Sequence, residues 1–430
     1  MKPERPLLVK PERPLLVKTE RPLLVKTERP LLAFVSPVFL FPNDAGGKIR
    51  TTNILRGLKG GAFRVRLLAP ATAAQCAQWR TEIDSVCDEF VSWQPQAARP
   101  KALRALDLLG ALPVNVAADV SAPARAAVQA QVQRADVNLM VFDFVHASVL
   151  RPGRLPMRSV CFTHNVEAEI FARHAATAKG RLRRWMWRSQ HAKLREFEGE
   201  ALRQYDKVVA VSERDADHFR SAYGVKDAEA IPTGVDLDFF KWAMPLAVGP
   251  EHPPTVVFIG SMDYAPNIDA IDFFLRDVWP QVLAEVGNAV FRVVGRNPPA
   301  SLVALARRSA RVEFTGFVDD VRPFVRAAQA SVIPLQVGGG TRIKVFEAMA
   351  MGCPVVSTTL GVEGLAVEPD VHYLRHDSAA GMARALAQLL RDADARDGLS
   401  RRARALVESR FGHRIAAQVF EDICQRALAA

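Results

Sequence analysis

Three glycines, Gly338 to Gly340, stand directly before Thr341, Arg342 and Lys344, and Glu347 follows three residues after Lys344. Consecutive glycines carry no Cβ, so their backbone adopts positive φ and approaches a ligand closely. Thr341 to Met351 read as a helix, with Ile343, Phe346 and Ala350 at helical spacing, Gly352 as its stop and PVVST (354–358) as a buried strand. A glycine loop feeding a helix start is an anion site, because unpaired N–H groups and the helix dipole act together. Arg342 and Lys344 in the first turn suit phosphates. A spacing of three puts Lys344 and Glu347 near one face. A carboxylate one turn deeper accepts two hydrogen bonds from a vicinal diol such as ribose. Taken alone, the stretch reads equally as a glycine turn whose Lys and Glu form a surface ion pair.

Other chemistries find less support. GxxxxGK[ST] is absent, since Val345 follows Lys344, and no GxGxxG occurs, which weakens nicotinamide and flavin readings. No carboxylate pair stands out as a nucleophile and acid couple. DxD triplets occur at Asp215–Asp217, Asp236–Asp238 and Asp392–Asp394; the outer two read as solvated helix positions, and no essential metal or other cofactor is expected. The five cysteines are scattered without metal or disulfide spacing. His164 ends the apolar run SVCFTH (159–164), and His146 lies near another strand end, where a structural role is the simpler reading.

The elements that must position these groups alternate. Apolar β-rich runs occur at 31–37, 63–70, 138–144, 159–164 and 207–212, then at 255–261, 290–295, 311–316, 331–336 and 354–358, with helical stretches between them. Near-continuous apolar strands separated by helices indicate parallel sheets covered on both faces. The chain of 430 residues is too long for one core, and a Pro- and Gly-rich break at 243–254 divides it. The fold class expected is α/β, with two doubly wound, Rossmann-like parallel-sheet domains facing across a cleft. Residues 29–242 form the first and 255–409 the second. The first 28 residues repeat an octapeptide of the KPERPLLV type, whose prolines oppose helix and interior strand, and read as a disordered tail. No run of 18 apolar residues exists. A net charge of +11 favours anionic partners, whether phosphates, membrane surface or nucleic acid.

The ordered motifs carry a resemblance. FPNDAGGKIRTTNILRGL (41–58), CFTHNVEAEIFAR (161–173), YDKVVAVSERDADHF (205–219), IPTGVDLDFF (231–240), FIGSMDYAPNIDAIDFF (258–274), VVGRNP (293–298), FTGFVDDV (314–321) and the glycine–cation–Glu347 stretch follow one another. With them the chain closely resembles the retaining, nucleotide-sugar-dependent glycosyltransferases of GT-B fold, family-four type, and among these bacterial sugar transferases of exopolysaccharide and protein-sorting gene clusters. The resemblance runs from about residue 30 to the C-terminus.

That resemblance implies a nucleotide-sugar donor, a glycan or lipid-linked saccharide acceptor and transfer with retention. It gives Glu347 the nucleotide ribose, and Lys344 and Arg342 the phosphates. Gly339, Gly340 and Thr341 fall in the loop facing the donor, together with Gly260, Ser261, Asn267 and Arg296 from the preceding motifs. His164 matches a histidine beside the donor sugar at the reaction centre. Gly46, Gly47 and Arg50 belong to the first loop of the N-terminal domain, near donor and acceptor. Residues 410–430 match a terminal helix crossing back onto the first domain. Two departures stand out: Gly339 occupies the position of a second family glutamate, and GSMDYAPN lacks the Arg and Lys usual after the first strand of the second domain.

Placement is expected to be cytoplasmic, peripheral at the inner membrane face. GRLRRWMWRSQHAKLR (180–195) sets six cations beside Trp185 and Trp187 with no acid. It reads either as a contact for an anionic membrane surface or as a solvated helix face with its tryptophans in the core. Rival readings are a nucleotide-sugar epimerase of the same architecture and a non-catalytic nucleic-acid-binding protein. Against the second, the basic residues lack an RNP-type or zinc-finger framework.

Overall fold

The computed structural model describes residues 29–43, 46–96, 107–178, 180–242, 249, 252–337 and 342–430. The octapeptide tail, most of the break at 243–254, and Gly339, Gly340 and Thr341 lie outside the described residues.

Two parallel sheets organise the chain. The first contains β1 (Leu31–Val35), β2 (Arg64–Pro70), β3 (Glu89–Trp93), β4 (Val137–Asp143), β5 (Arg158–Phe162), β6 (Lys207–Ala210) and β7 (Ala228–Ala230), in the order β3-β2-β1-β4-β5-β6-β7. The second contains β8 (Thr255–Ile259), β9 (Val290–Val294), β10 (Val312–Gly316), β11 (Ala330–Ile333), β12 (Val355–Ser357) and β13 (Leu374–Arg375), in the order β10-β9-β8-β11-β12-β13. This is the α/β class expected of uninterrupted apolar strands: all five residues of β1 are buried, because helices cover both faces.

Each order reverses once, between β1 and β4 in the first sheet and between β8 and β11 in the second. Loops leaving adjacent strands diverge at such a point and open a crevice outside the strand carboxyl ends. The residues of chemical interest lie on these loops and on β5 beside β4.

The C-terminal helix ties the second domain to the first. Backbone hydrogen bonds join Val235 to Phe411 and His413 to Val235, each at 2.8 Å. The helix His413–Ala429 then inserts Ala417, Phe420 and Ile423 into the core shared by β1, β4 and the helix Gly46–Leu58. Gly57 permits the close approach, since a Cβ there would meet the Ala417 methyl at 2.1 Å.

Candidate functional site

On the second domain the site grows from the helix Ile343–Ala350, shorter than the sequence spacing suggests. Val345, Phe346, Ala348 and Met349 are buried against the core, which fixes the opposite face toward the crevice. Gly352 ends the helix at φ 77°, a conformation open to glycine at little cost. Arg342, at the helix start, is buried, and Lys344 reaches across the reversal point to donate from Nζ to the Ile259 carbonyl at the end of β8, 3.1 Å away. Arg342, Lys344, Tyr264 and Asn267 line a cavity of about 140 Å³ there. Burial raises the Glu347 carboxyl to about 7, against the opposing attraction of Lys344. Lys344 is exposed along its length, yet desolvation at its ammonium lowers its basicity, with Glu347 opposing. Desolvation thus opposes the charge of each group, and each group favours the charge of the other.

The loop after β8 forms the adjoining lip. Gly260 and Gly295 lie in backbone contact that admits no side chain, since a Cβ on Gly295 would sit 1.8 Å from the Gly260 oxygen. Asn267 Nδ2 donates to the Ser261 carbonyl at 2.8 Å. Asp263 gathers the loop: it accepts from Ser261 Oγ, Arg296 Nε and Asn297 Nδ2, each at 2.9 Å. The structure thus places Ser261, Asn267 and Arg296 together, with the Arg296 guanidinium paired to Asp263.

On the first domain, His164 leaves β5 and turns inward. It is 3% exposed. Its Nε2 lies 2.7 Å from Asp143 Oδ1, and Asp143 Oδ2 accepts from Thr51 Oγ1 at 2.9 Å and Ser36 Oγ at 3.3 Å. The ring stacks on Phe144 at 3.9 Å between centroids. Phe144 itself sits at φ 65°, ψ 144°, a strained setting for a bulky residue. Gly47 rests against these rings: a Cβ there would meet Phe144 at 2.7 Å and His164 Nδ1 at 3.9 Å. Burial lowers the His164 basicity, and Asp143 opposes it. Arg50, buried on the same helix as Gly47, is lowered to about 10 by burial.

Sequence reading missed several residues here. The signal for Asp143 is a lone carboxylate within the apolar run 138–144, which does not by itself point to His164, and Thr51 and Ser36 give no signal of their own. Glu169 and Arg173 share the i, i+4 spacing of a helix pair. Glu169 accepts two hydrogen bonds from Arg214 at 2.8 Å and one from Arg173 at 3.0 Å. These residues and Asn165 face Arg342 and Glu363 of the second domain across an inter-domain cavity of about 70 Å³. Glu198, fully buried, accepts the N–H groups of Glu167 and Ala168 and the Tyr223 hydroxyl, so it caps the helix that follows His164. His146 pairs with Asp119.

Asp236, Asp238 and His413 bring ligand atoms within 4.8 Å of one another. Their charges are engaged within the protein: Asp236 accepts the Asp238 and Phe239 N–H groups, and Asp238 pairs with Arg414.

Comparison with known proteins finds relatives for both domains. The model for Glycosyltransferase Family 4 matches residues 46–239, and that for Glycosyl transferases group 1 matches residues 253–392. A phosphatidyl-myo-inositol mannosyltransferase of Mycobacterium tuberculosis is 30% identical over 226 residues, 51% of this chain and 55% of that protein. The chain thus spans about half the length of that relative. Among solved structures, sucrose-phosphate synthase from Thermosynechococcus elongatus is similar with a TM-score of 0.66 and 17% identity, covering 93% of this chain and 100% of that one. Anabaena HepE, solved with UDP and glucose, gives a TM-score of 0.61 and 16% identity, covering 91% and 98%.

Proposed function

The chain belongs to the family-four glycosyltransferases of GT-B architecture, and from that premise we propose that it moves a sugar from a nucleoside-diphosphate donor to a glycan or lipid-linked acceptor with retention. The observation that carries the reading is the Lys344–Glu347 pair on a helix that starts at the reversal point of the second sheet. Lys344 and Arg342 would stabilise the departing diphosphate, and Glu347 would accept from the ribose diol. His164 lines the sugar side, and Gly46, Gly47 and Arg50 the acceptor side. The acceptor oxygen attacks the anomeric carbon from the face the diphosphate leaves. The C–O bond to phosphate breaks, the new glycosidic bond forms, and the acceptor proton passes to the leaving phosphate oxygen. No metal is required in this scheme.

The HepE complex with UDP supports a nucleoside diphosphate as product, and the relative named for phosphatidyl-myo-inositol supports an acceptor carried on lipid. We place the activity in assembly of surface polysaccharide or glycolipid at the cytoplasmic membrane face. No described helix is long and apolar enough to cross a membrane, so contact with lipid falls to surface segments such as 180–195.

The test is a thermal-shift screen of UDP, GDP, ADP, TDP and CDP, with and without magnesium, followed by transfer assays with the matching donor sugars. Ligand binding to the native state raises the melting temperature. Stabilisation by one diphosphate, undiminished by a chelator, with an α-linked product from an α-linked donor, supports the reading. An inverted product removes retention. Sugar released as an epimer without an acceptor favours the epimerase.

A further inference from the structure

His164 holds one ring nitrogen in a fixed environment and leaves the other open. Asp143 Oδ2 takes the Thr51 hydroxyl at 2.9 Å, with Ser36 Oγ, whose shorter contact is to the Val38 carbonyl at 3.0 Å, lying 3.3 Å away, and Asp143 Oδ1 faces His164 Nε2 at 2.7 Å. Thr51 Oγ1 also lies 3.5 Å from Nε2, but its contact to Asp143 is shorter by 0.6 Å, which assigns the hydroxyl proton to the carboxylate. An ionised carboxylate only accepts, so the proton between Asp143 and His164 sits on Nε2. Nδ1 then carries a lone pair. It is fully buried and has no hydrogen-bond partner among the described residues, the setting in which a polar atom costs stability until a ligand satisfies it. Gly47 lies against it: a Cβ there would sit 3.9 Å from Nδ1.

We propose that Asp143 is a positioning residue that locks His164 as the Nε2–H tautomer, so that Nδ1 serves the sugar site as a hydrogen-bond acceptor for a ligand hydroxyl and not as a proton donor. The assignment of the ligand as a sugar rests on the function proposed above; the tautomer does not. The charges facing the ring agree with a neutral imidazole. Arg50, on the helix Gly46–Leu58, disfavours the cation, as does burial, whereas Asp143 on β4 and Glu167 on the following helix favour it; burial dominates. Phe144 and Phe162 hold the ring on two sides, at 3.9 and 4.6 Å between centroids. The arrangement follows the general rule that the partner of one imidazole nitrogen decides the role of the other.

The experiment uses the full-length protein labelled with ¹⁵N-histidine and free of ligand. His164 is identified by the signal lost in H164Q. The expected spectrum at neutral pH is an uncharged ring protonated on Nε2, which gains its second proton only at a lower pH than an ordinary imidazole does. In D143N and D143A the ring should become a mixture of tautomers or adopt Nδ1–H. A wild-type His164 that is protonated on Nδ1, or charged at neutral pH, overturns the proposal, as does a ring unaffected in both variants. The wild-type spectrum decides even if neither variant folds. With donor and acceptor in hand, D143N should lower kcat about 100-fold, as misplacement of a reacting group does, while nucleoside-diphosphate affinity stays unchanged. Failure of every nucleoside diphosphate to bind would overturn the functional reading and leave the spectrum to judge the tautomer.

Discussion

Lys344 and Glu347 lie one helical turn apart on the helix Ile343–Ala350, and desolvation opposes the charge of each while each favours the charge of the other. Removing either partner therefore changes the protonation of the one that remains. Lys344→Ala should lower kcat roughly 100- to 1,000-fold, the loss seen when a single stabiliser of developing charge is deleted in other enzymes. Steady-state kinetics with the donor identified by the thermal-shift screen checks this. Near-normal turnover would take Lys344 out of the mechanism.

The same pair sets a pH dependence. Glu347 carries its carboxyl at about 7 in the free protein. A ribose diol donates two hydrogen bonds, so it binds the ionised carboxylate in preference. Nucleoside-diphosphate affinity should accordingly rise as pH increases through about 7. Glu347→Gln should flatten that rise while binding more weakly at pH 8. Calorimetric titrations at pH 6 and 8 separate the outcomes, and equal affinity of the wild type at both would remove the ribose role.

Glu198 makes a prediction about stability. Burial raises it from the ordinary carboxyl value of 4.5 to about 7, despite the N–H and Tyr223 hydroxyl donors it accepts. The folded state thus binds this proton more tightly than the unfolded chain. Stability contributed by the group is present below about pH 4.5 and is lost as pH rises to about 7, by on the order of 3 kcal/mol. Glu198→Gln should lessen the fall in unfolding free energy between pH 5 and 8, measured by urea titration. An unchanged slope would show that the carboxyl is ionised throughout.

Legibility in the sequence followed burial. The central strands β1, β4, β8 and β11 are covered on both faces and read as unbroken apolar runs. β3, β7 and β13 escaped notice, and all three are sheet edges. β3 reads EFVSW with three residues only partly buried and Ser92 exposed, and β13 is two residues long. An edge strand is specified by its neighbour's hydrogen bonds more than by its own pattern. The helix carrying Lys344 and Glu347 was legible because loop, cations and acid are consecutive. The support of His164 was not, since Ser36, Thr51 and Asp143 meet it from three separate segments. Only the parallel pairing of β1, β4 and β5 brings them together.

The helix Arg181–Leu202 separates two readings that its sequence left open. Trp187 packs edge-on against Phe171 and stacks on His174, as a core-facing residue should. Trp185 is 63% exposed and Leu182 77%, among the exposed Arg181, Arg183, Arg184 and Arg188. A large apolar side chain ringed by cations suits the interface of an anionic bilayer, where each arginine adds about 1 kcal/mol and the indole enters the headgroup layer. Lys193 is different, since its ammonium donates to the Leu108 and Gly110 carbonyls. Binding to vesicles containing phosphatidylglycerol should therefore fall on raising salt. It should fall again in a Leu182→Ser, Trp185→Ser double variant or when Arg183 and Arg184 become Gln, whereas Lys193→Gln should leave it nearly intact. Sedimentation with anionic and neutral vesicles reads all these arms. Equal binding to both vesicle types, or none to either, would leave this exposed face as an ordinary solvated surface and place the lipid contact elsewhere on the chain.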